Sequence, residues 1–269
     1  MDTHVSIPGS RAPAFAVTMG FLLMLTAASG QAATSCAAAS GAQTVPMVEL
    51  FTSEGCDSCP PADRWLASQF PVARAAGDVT VLAFHVDYWD RLGWKDRFAT
   101  AQYTQRQYAA MHANGATFVY TPQVLVQGHD VPSWRRGVSD QLGAARKRPA
   151  RARVTLAAAS DPGVDFTVRA EASVPDQALR KNAALWIAYT DSGLVSDVKA
   201  GENRGVQLRH DHVVRSLHGP YPIDASGAAA AALVLAPPHE SGQSPTLVAF
   251  VQDGRNGDVL QALALPACR

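Results

Sequence analysis

Two cysteines three residues apart, Cys56 and Cys59, stand between an apolar segment and a segment that begins with two prolines. Residues 46–51 (PMVELF) predict a short strand. Pro60 and Pro61 fit the first turn of a helix, where an amide hydrogen has no partner to lose. This spacing puts both sulfurs at the start of the helix, close enough to form a disulfide. The sequence therefore predicts a Cys56–Cys59 pair on a strand–turn–helix unit.

Strands and helices are expected to alternate in the first half of the chain. Residues 79–86 are nearly all apolar, as in a buried parallel strand, and residues 97–113 and 135–147 are predicted helices. A strand begins near Pro122. This alternation favours a βαβ arrangement.

The second half of the chain has a different pattern. Residues 164–174 alternate strictly between apolar and polar side chains, which predicts a half-buried strand. Further strand candidates are 153–158, 184–190, 206–217, 230–236, 246–252 and 258–265. Several strands without a convincing helix predict a β-sandwich.

Composition excludes several classes of protein. Hydrophobic residues make up 47% of the chain and charged residues 17%, which argues against disorder. Lys plus Arg number 23 and Asp plus Glu number 23, so the formal net charge is zero. A nucleic-acid binder or a polybasic membrane-surface protein needs an excess of cations, and we expect neither partner.

The first residues have the layout of a secretory signal peptide. Arg11 precedes the apolar residues 15–25, and small residues follow in 26–33. We predict a signal peptide at 1–33 and a mature protein that is periplasmic or secreted, with no stable membrane span after cleavage. An uncleaved N-terminal anchor is the alternative.

Cys36 and Cys268 remain once Cys56 and Cys59 are paired. We predict a structural disulfide between them, since an exported protein folds where disulfides persist. By the chain-entropy model, so long a loop contributes about 5 kcal/mol at most. Two free thiols are the alternative.

A Cys-x-x-Cys pair at a helix start points to thiol–disulfide exchange. Cys56 would attack a substrate disulfide, and Cys59 would resolve the mixed disulfide. Pro122 is predicted to be a cis-proline that faces the substrate beside Thr121. We therefore predict a thiol-disulfide oxidoreductase without a cofactor, whose partners are protein thiols or disulfides and a redox recycling partner.

Two other functions remain open. Cys56, Cys59 and His85 could form a Cu(I) or Zn site, although a lone histidine is more often a hydrogen-bonded core residue. The disulfide could instead be structural in a non-catalytic protein-binding module.

Other side chains have two interpretations each. Tyr88, Trp89 and Trp94 crowd one segment and could grip a substrate peptide or cap the core. His210 and His212 could form a metal pair, but a charged strand or a packed junction is favoured because no third ligand is evident.

Several longer stretches carry a resemblance to known families. They are 48–63 (VELFTSEGCDSCPPAD), 85–90 (HVDYWD), 92–96 (LGWKD), 120–123 (YTPQ), 201–203 (GEN) and 212–217 (HVVRSL). With the order of strand, Cys-x-x-Cys, helix and Thr-Pro, the chain resembles the thioredoxin superfamily. It also resembles a group of exported bacterial proteins described as domain of unknown function 1223.

The resemblance implies an α/β thioredoxin-like domain followed by an all-β sandwich-like domain (α+β overall). We place the domains at 44–148 and 152–267. The sequence departs from ordinary thioredoxins in its Asp57-Ser58 dipeptide, where they have Gly-Pro, and in a longer interval from Cys59 to Pro122.

Overall fold

The computed structural model describes residues 1–4, 9, 34–72, 78–160, 166–236 and 245–268. Apart from 1–4 and 9, the predicted signal peptide at 1–33 lies outside the described residues. In these described ranges, no helix is both long enough and apolar enough to cross a membrane.

The described elements are short strands interrupted by a few helices. The strands are β1 (Thr34–Ala39), β2 (Met47–Thr52), β3 (Thr80–His85), β4 (Gln123–Val126), β5 (His129–Asp130), β6 (Arg153–Ser160), β7 (Phe166–Ser173), β8 (Ala183–Asp191), β9 (Leu194–Asp197), β10 (Gln207–His210), β11 (Val213–Pro222), β12 (Ala228–Leu235), β13 (Thr246–Asp253) and β14 (Val259–Pro266). The helices are α1 (Pro60–Gln69), α2 (Ala101–Ala113), α3 (Trp134–Arg146) and α4 (Gln177–Arg180).

These strands form two large sheets and one small ribbon. The larger sheet has eight strands in the order β14-β13-β8-β11-β3-β2-β4-β5. Among the described strands, β3 pairs in parallel with β2 and with β11, and the other pairs are antiparallel. A four-stranded sheet has the order β1-β6-β7-β12, and β9 and β10 form a two-stranded ribbon.

The four-stranded sheet packs against the β8–β13–β14 part of the larger sheet. Inward side chains from both layers, such as Leu156, Val168, Ile187 and Leu247, form one buried cluster. Alternate residues of each strand contribute to it, because successive side chains of a strand point to opposite faces. This part of the molecule is a β-sandwich.

Helices cover the other part of the larger sheet. Leu66 of α1 and Val138 of α3 pack on one face, beside Val48 and Val81 of the strands. Tyr103 of α2 packs on the opposite face. The turn between β2 and α1 therefore lies at the C-terminal end of β2, where the chain leaves the sheet and enters the first of these helices.

The predicted fold class, an α/β thioredoxin-like domain followed by an all-β sandwich-like domain, is wrong. The described residues hold fourteen strands and only four short α-helices, so the fold is mainly β. The cause is the pairing of β3, which has β2 on one side and β11 on the other. Strands of the second half thus continue the sheet that the first half begins. The facing sheet buries one part of it, and helices cover the other. The boundaries at 44–148 and 152–267 stay predictions.

Most strand candidates of the second half correspond to observed strands, but 206–217 divides in two. The backbone turns at His212, which has a φ of 59°. This left-handed residue ends the pairing of β10 and lets β11 enter the larger sheet.

Cys36 of β1 and Cys268, after β14, form a disulfide with a Cα–Cα distance of 5.7 Å. Both residues pack against the sandwich core. The bond therefore links the edge strands of the two facing sheets.

Candidate functional site

The site is built around the Cys56–Cys59 disulfide, whose Cα atoms lie 5.4 Å apart. Cys59 is the N-cap of α1, and prolines occupy the first helical positions, as the sequence predicts. Both cysteines have no exposed surface, whereas Asp57 and Ser58 between them are exposed. The turn therefore presents Asp57 and Ser58 to solvent and keeps its sulfurs inside.

Hydroxyl groups surround the sulfur of Cys56. Thr121 Oγ1 donates to Cys56 Sγ at 3.4 Å, and Ser58 Oγ lies 3.3 Å from the same sulfur. The peptide bond from Thr121 to Pro122 is cis. The structure thus brings together Cys56, Cys59, Thr121 and Pro122, although more than sixty residues separate the two pairs along the chain.

The aromatic segment, residues 88–94, lies against this site. Trp89 Nε1 donates to Thr121 Oγ1 at 2.8 Å, and Trp94 Nε1 donates to Glu54 Oε2 at 2.7 Å. Tyr88 OH donates to Gln107 Oε1 of α2 at 3.2 Å and also interacts with the Thr121 side chain. The two tryptophans therefore have their polar atoms engaged by the site itself, and the hydroxyl of Tyr88 joins the site to a helix.

Gly55 lies close to this segment. A Cβ built on Gly55 would lie 3.0 Å from Cβ of Trp89, which is tighter than nine in ten real Cβ contacts, so Trp89 would have to move by a few tenths of an ångström. The absence of a side chain at Gly55 therefore lets the aromatic segment pack closely on the disulfide turn.

Residues from the second half of the chain hold the other side of the turn. Asn203 Nδ2 donates to the carbonyl oxygens of Glu54 and Cys56, each at 2.9 Å. Glu202 Oε2 accepts from the backbone amide of Asp57 at 3.1 Å. Three backbone groups of the turn are therefore bound by two neighbouring side chains.

A cluster of buried ionisable groups lies behind the turn. His85 Nδ1 and Asp96 Oδ2 are 2.7 Å apart, and His210 Nε2 lies 3.4 Å from Glu54 Oε1. The rings of His85 and His210 meet edge to face at 4.9 Å. All four side chains are at most 2% exposed. Asp96 Oδ2 also accepts from the Glu54 amide, so the cluster is joined to the turn.

Burial and mutual attraction oppose each other in this cluster. Burial by itself would raise the pKa of Asp96, but the adjacent His85 outweighs it, and the pKa is lowered. Burial would lower the pKa of His85, yet Asp96 and the nearby carboxylates raise it. Burial also works against ionisation of Glu54, whose pKa is nevertheless lowered by its polar neighbours, foremost the adjacent His210. The cluster therefore favours the ionised forms of all three groups.

The predicted alternative metal site is not assembled. Within the described ranges, no group of three or more His, Cys, Asp or Glu side chains is arranged to hold a metal ion. His85 uses its Nδ1 atom to bond to Asp96. The pair His210 and His212 also separates, since His212 Nε2 bonds to the carbonyl oxygen of Phe70 at 2.7 Å.

Sequence reasoning missed three groups of the site: Asp96, Asn203 and His210. All but His210 lie in the stretches that carry the family resemblance, which was the available signal. His210 was considered only as a partner of His212, because spacing along a strand cannot show that it faces Glu54.

The fold and the site together define a mainly β protein built around a covered Cys-x-x-Cys disulfide. Residues 47–252 match the family model described as "Protein of unknown function (DUF1223)". The chain belongs to this family. No curated protein matches the sequence.

Two solved structures are similar to the chain. One is a protein from Agrobacterium tumefaciens solved by X-ray crystallography, with 25% sequence identity and a TM-score of 0.55, covering 84% of this chain and 96% of that chain. The other is HBP35 of Porphyromonas gingivalis, with 15% identity and a TM-score of 0.57, covering 84% of this chain and 76% of that chain. The second likeness concerns the fold alone.

Proposed function

We propose that this protein is an exported thiol–disulfide oxidoreductase that acts through Cys56 and Cys59. One observation carries the proposal: the disulfide sits at the N-terminus of α1 with the Thr121 hydroxyl on the sulfur of Cys56. Two disulfides among the described residues fit an oxidising compartment, and the predicted signal peptide at 1–33 supports export.

The reduced site would favour a reactive Cys56. Unpaired amides at the start of a helix stabilise a thiolate, and the hydroxyls of Ser58 and Thr121 can donate to it. The Cys56 thiolate would attack a substrate disulfide and form a mixed disulfide, releasing one substrate thiolate. Cys59 would then attack the sulfur of Cys56, releasing the second substrate thiol and restoring the Cys56–Cys59 disulfide.

Pro122 and the tryptophans would hold the substrate in this proposal. Pro122 follows the residue that contacts Cys56, and Trp89 is bonded to that same residue. A substrate segment that reaches Cys56 therefore passes Thr121 and Trp89. A redox recycling partner would have to reach the same sulfur.

A second candidate, a structural disulfide, is supported by burial. Neither cysteine has exposed surface, so the sulfurs are covered in the described conformation. Thiol–disulfide exchange requires the turn to open so that a substrate reaches the sulfur. A purely structural disulfide requires no such opening.

The redox midpoint of the pair separates these candidates. Purified mature protein is equilibrated in graded dithiol buffers, and free thiols are alkylated and counted by mass spectrometry. A reversible midpoint above about −300 mV supports the oxidoreductase, since structural disulfides typically lie below that value. The Cys36–Cys268 bond is the internal control and is expected to stay oxidised at more reducing potentials than Cys56–Cys59. A Cys56–Cys59 pair that resists reduction as strongly as this control would refute the proposed exchange.

A further inference from the structure

We propose that residues 198–206, which connect β9 to β10, are a latch on the disulfide turn. Asn203 is the positioning residue of this latch, and its release sets how fast a thiol reaches Cys56. The inference rests on the proposed function, because it concerns access to the same disulfide.

The contacts of Asn203 link two parts of the chain that are far apart in sequence. Its side-chain amide spans the carbonyl oxygens of Glu54 and Cys56, which flank Gly55. An asparagine amide nitrogen has two hydrogens, so one side chain satisfies both carbonyls. Asn203 is itself 6% exposed, and these bonds are therefore shielded from competing water. The backbone of Cys56 cannot turn outward while both bonds remain.

Two further contacts close the latch over the turn. The exposed Glu202 accepts from the amide of Asp57, the first residue after Cys56. Gly201 has a φ of 72° and lies against the aromatic segment, where an added Cβ would be 3.4 Å from Cβ of Trp94. Trp94 in turn donates to Glu54. The latch, the turn and the aromatic segment thus hold one another.

The latch is carried by a two-stranded ribbon that lies outside the two large sheets. β9 and β10 pair only with each other among the described strands and belong to neither large sheet. A two-stranded ribbon is marginally stable by itself and depends on side-chain contacts with its surroundings. The latch also contains Gly205 with a φ of 84°, a second residue with wide backbone freedom. Its opening therefore does not require the large sheets to separate.

Reduction by dithiothreitol tests the latch without any protein substrate. A dithiothreitol thiolate attacks one sulfur of Cys56–Cys59 to give a mixed disulfide, and its second thiol closes the ring. Oxidised dithiothreitol leaves, and both cysteines are released as thiols. The rate is followed for each disulfide separately by alkylation and mass spectrometry, in wild type, Asn203→Ala and Asn203→Asp.

Both Asn203 variants are expected to accelerate reduction of Cys56–Cys59 by about tenfold or more, since each loses two hydrogen bonds. Reoxidation should accelerate too, so the midpoint changes much less than the rates. Reduction of Cys36–Cys268 should keep its wild-type rate. Asn182→Ala, at the residue just before β8, is the matched control and should change neither rate.

Two results would overturn the latch: an unchanged rate at Cys56–Cys59, or equal acceleration of both disulfides, which indicates general loosening of the fold. If the Asn203 variants do not fold, Glu202→Ala provides the test. This exposed side chain accepts one hydrogen bond from the turn, and its loss should accelerate reduction of Cys56–Cys59 severalfold. No acceleration there counts against the latch. If the wild-type protein fails to exchange disulfides with every protein substrate tested, the proposed function is refuted. The dithiothreitol rates would still test the latch.

Discussion

His85 Nδ1 lies 2.7 Å from Asp96 Oδ2, and both side chains are buried behind a turn that carries a disulfide. Asp96 also accepts from the amides of Glu54 and Phe98, so one carboxylate joins β3, the aromatic segment and the disulfide turn. A buried ion pair of this kind stabilises the fold only while both members are present and ionised.

Asp96→Asn is therefore expected to destabilise the protein by about 3 kcal/mol, because it leaves His85 buried without its counter-charge. The loss should depend on pH. The pKa of His85 is raised from 6.5 in the folded state. Its contribution to the free energy of unfolding is therefore fully present below pH 6.5 and is lost as the pH rises through the folded-state pKa. The pKa of Asp96 is lowered from 3.8, so its contribution is present above 3.8 and is lost on acidification through the folded value.

The difference between wild type and Asp96→Asn should thus be greatest between pH 3.8 and 6.5 and smaller in alkaline buffer. Urea unfolding followed by circular dichroism at several pH values measures it. Asp140→Asn, at an exposed position of α3, is the matched control. A loss of stability that is the same at every pH would contradict the role of the ion pair.

The ion pair between Arg106 and Glu49 gives a second prediction. Arg106 Nε donates to Glu49 Oε1 at 2.7 Å, with the arginine side chain 9% and the glutamate 1% exposed. Arg106→Met should cost about 3–5 kcal/mol, because Glu49 stays buried without a partner. The double variant with Glu49→Gln should regain part of that loss. Equal free energies of unfolding for the single and double variants would argue against this explanation.

Cysteine variants should behave asymmetrically under the proposed function. Cys59→Ala removes the resolving thiol, so a mixed disulfide between Cys56 and a model substrate should accumulate. Cys56→Ala should trap little or none, since the Ser58 and Thr121 hydroxyls that can stabilise a thiolate contact the sulfur of Cys56. Non-reducing electrophoresis with mass spectrometry detects the adduct. Equal trapping by both variants would be incompatible with the assigned roles.

The disulfide between Cys36 and Cys268 should contribute to stability without affecting the exchange site. Replacing both residues with Ser is expected to lower the free energy of unfolding by about 2–4 kcal/mol, since a long loop becomes unconstrained in the unfolded chain. The midpoint of Cys56–Cys59 should not change. Calorimetry and the dithiol titration check both parts, and a shifted midpoint would mean that the two bonds are coupled.

Local patterns predicted the elements well but not their assembly. The apolar runs at 46–51 and 79–86 are observed as β2 and β3, and Pro60 starts α1 as expected. The pairing of β3 with β11 decided the fold class, and it depends on contacts between residues more than a hundred positions apart. Periodicity describes which face of a strand is buried, but it does not name the neighbouring strand.

The site likewise divides into residues that the sequence identifies and residues whose role depends on the folded structure. Cys56, Cys59 and Pro122 could be selected from spacing and residue type, since each has a chemical property that few other residues share. Asn203 could not be assigned a role, because its function lies in reaching two carbonyl oxygens of a distant turn. Only the folded chain brings these atoms together.

The bond between Cys36 and Cys268 also determines how the molecule would carry a mechanical load. The two residues are separated by 232 positions in the sequence, yet their Cα atoms lie 5.7 Å apart. Tension applied to the chain outside this pair passes directly through the sulfur–sulfur bond. The chain between the two cysteines, including the disulfide turn at Cys56, is then shielded from the load, and it would resist extension until that one covalent bond is reduced.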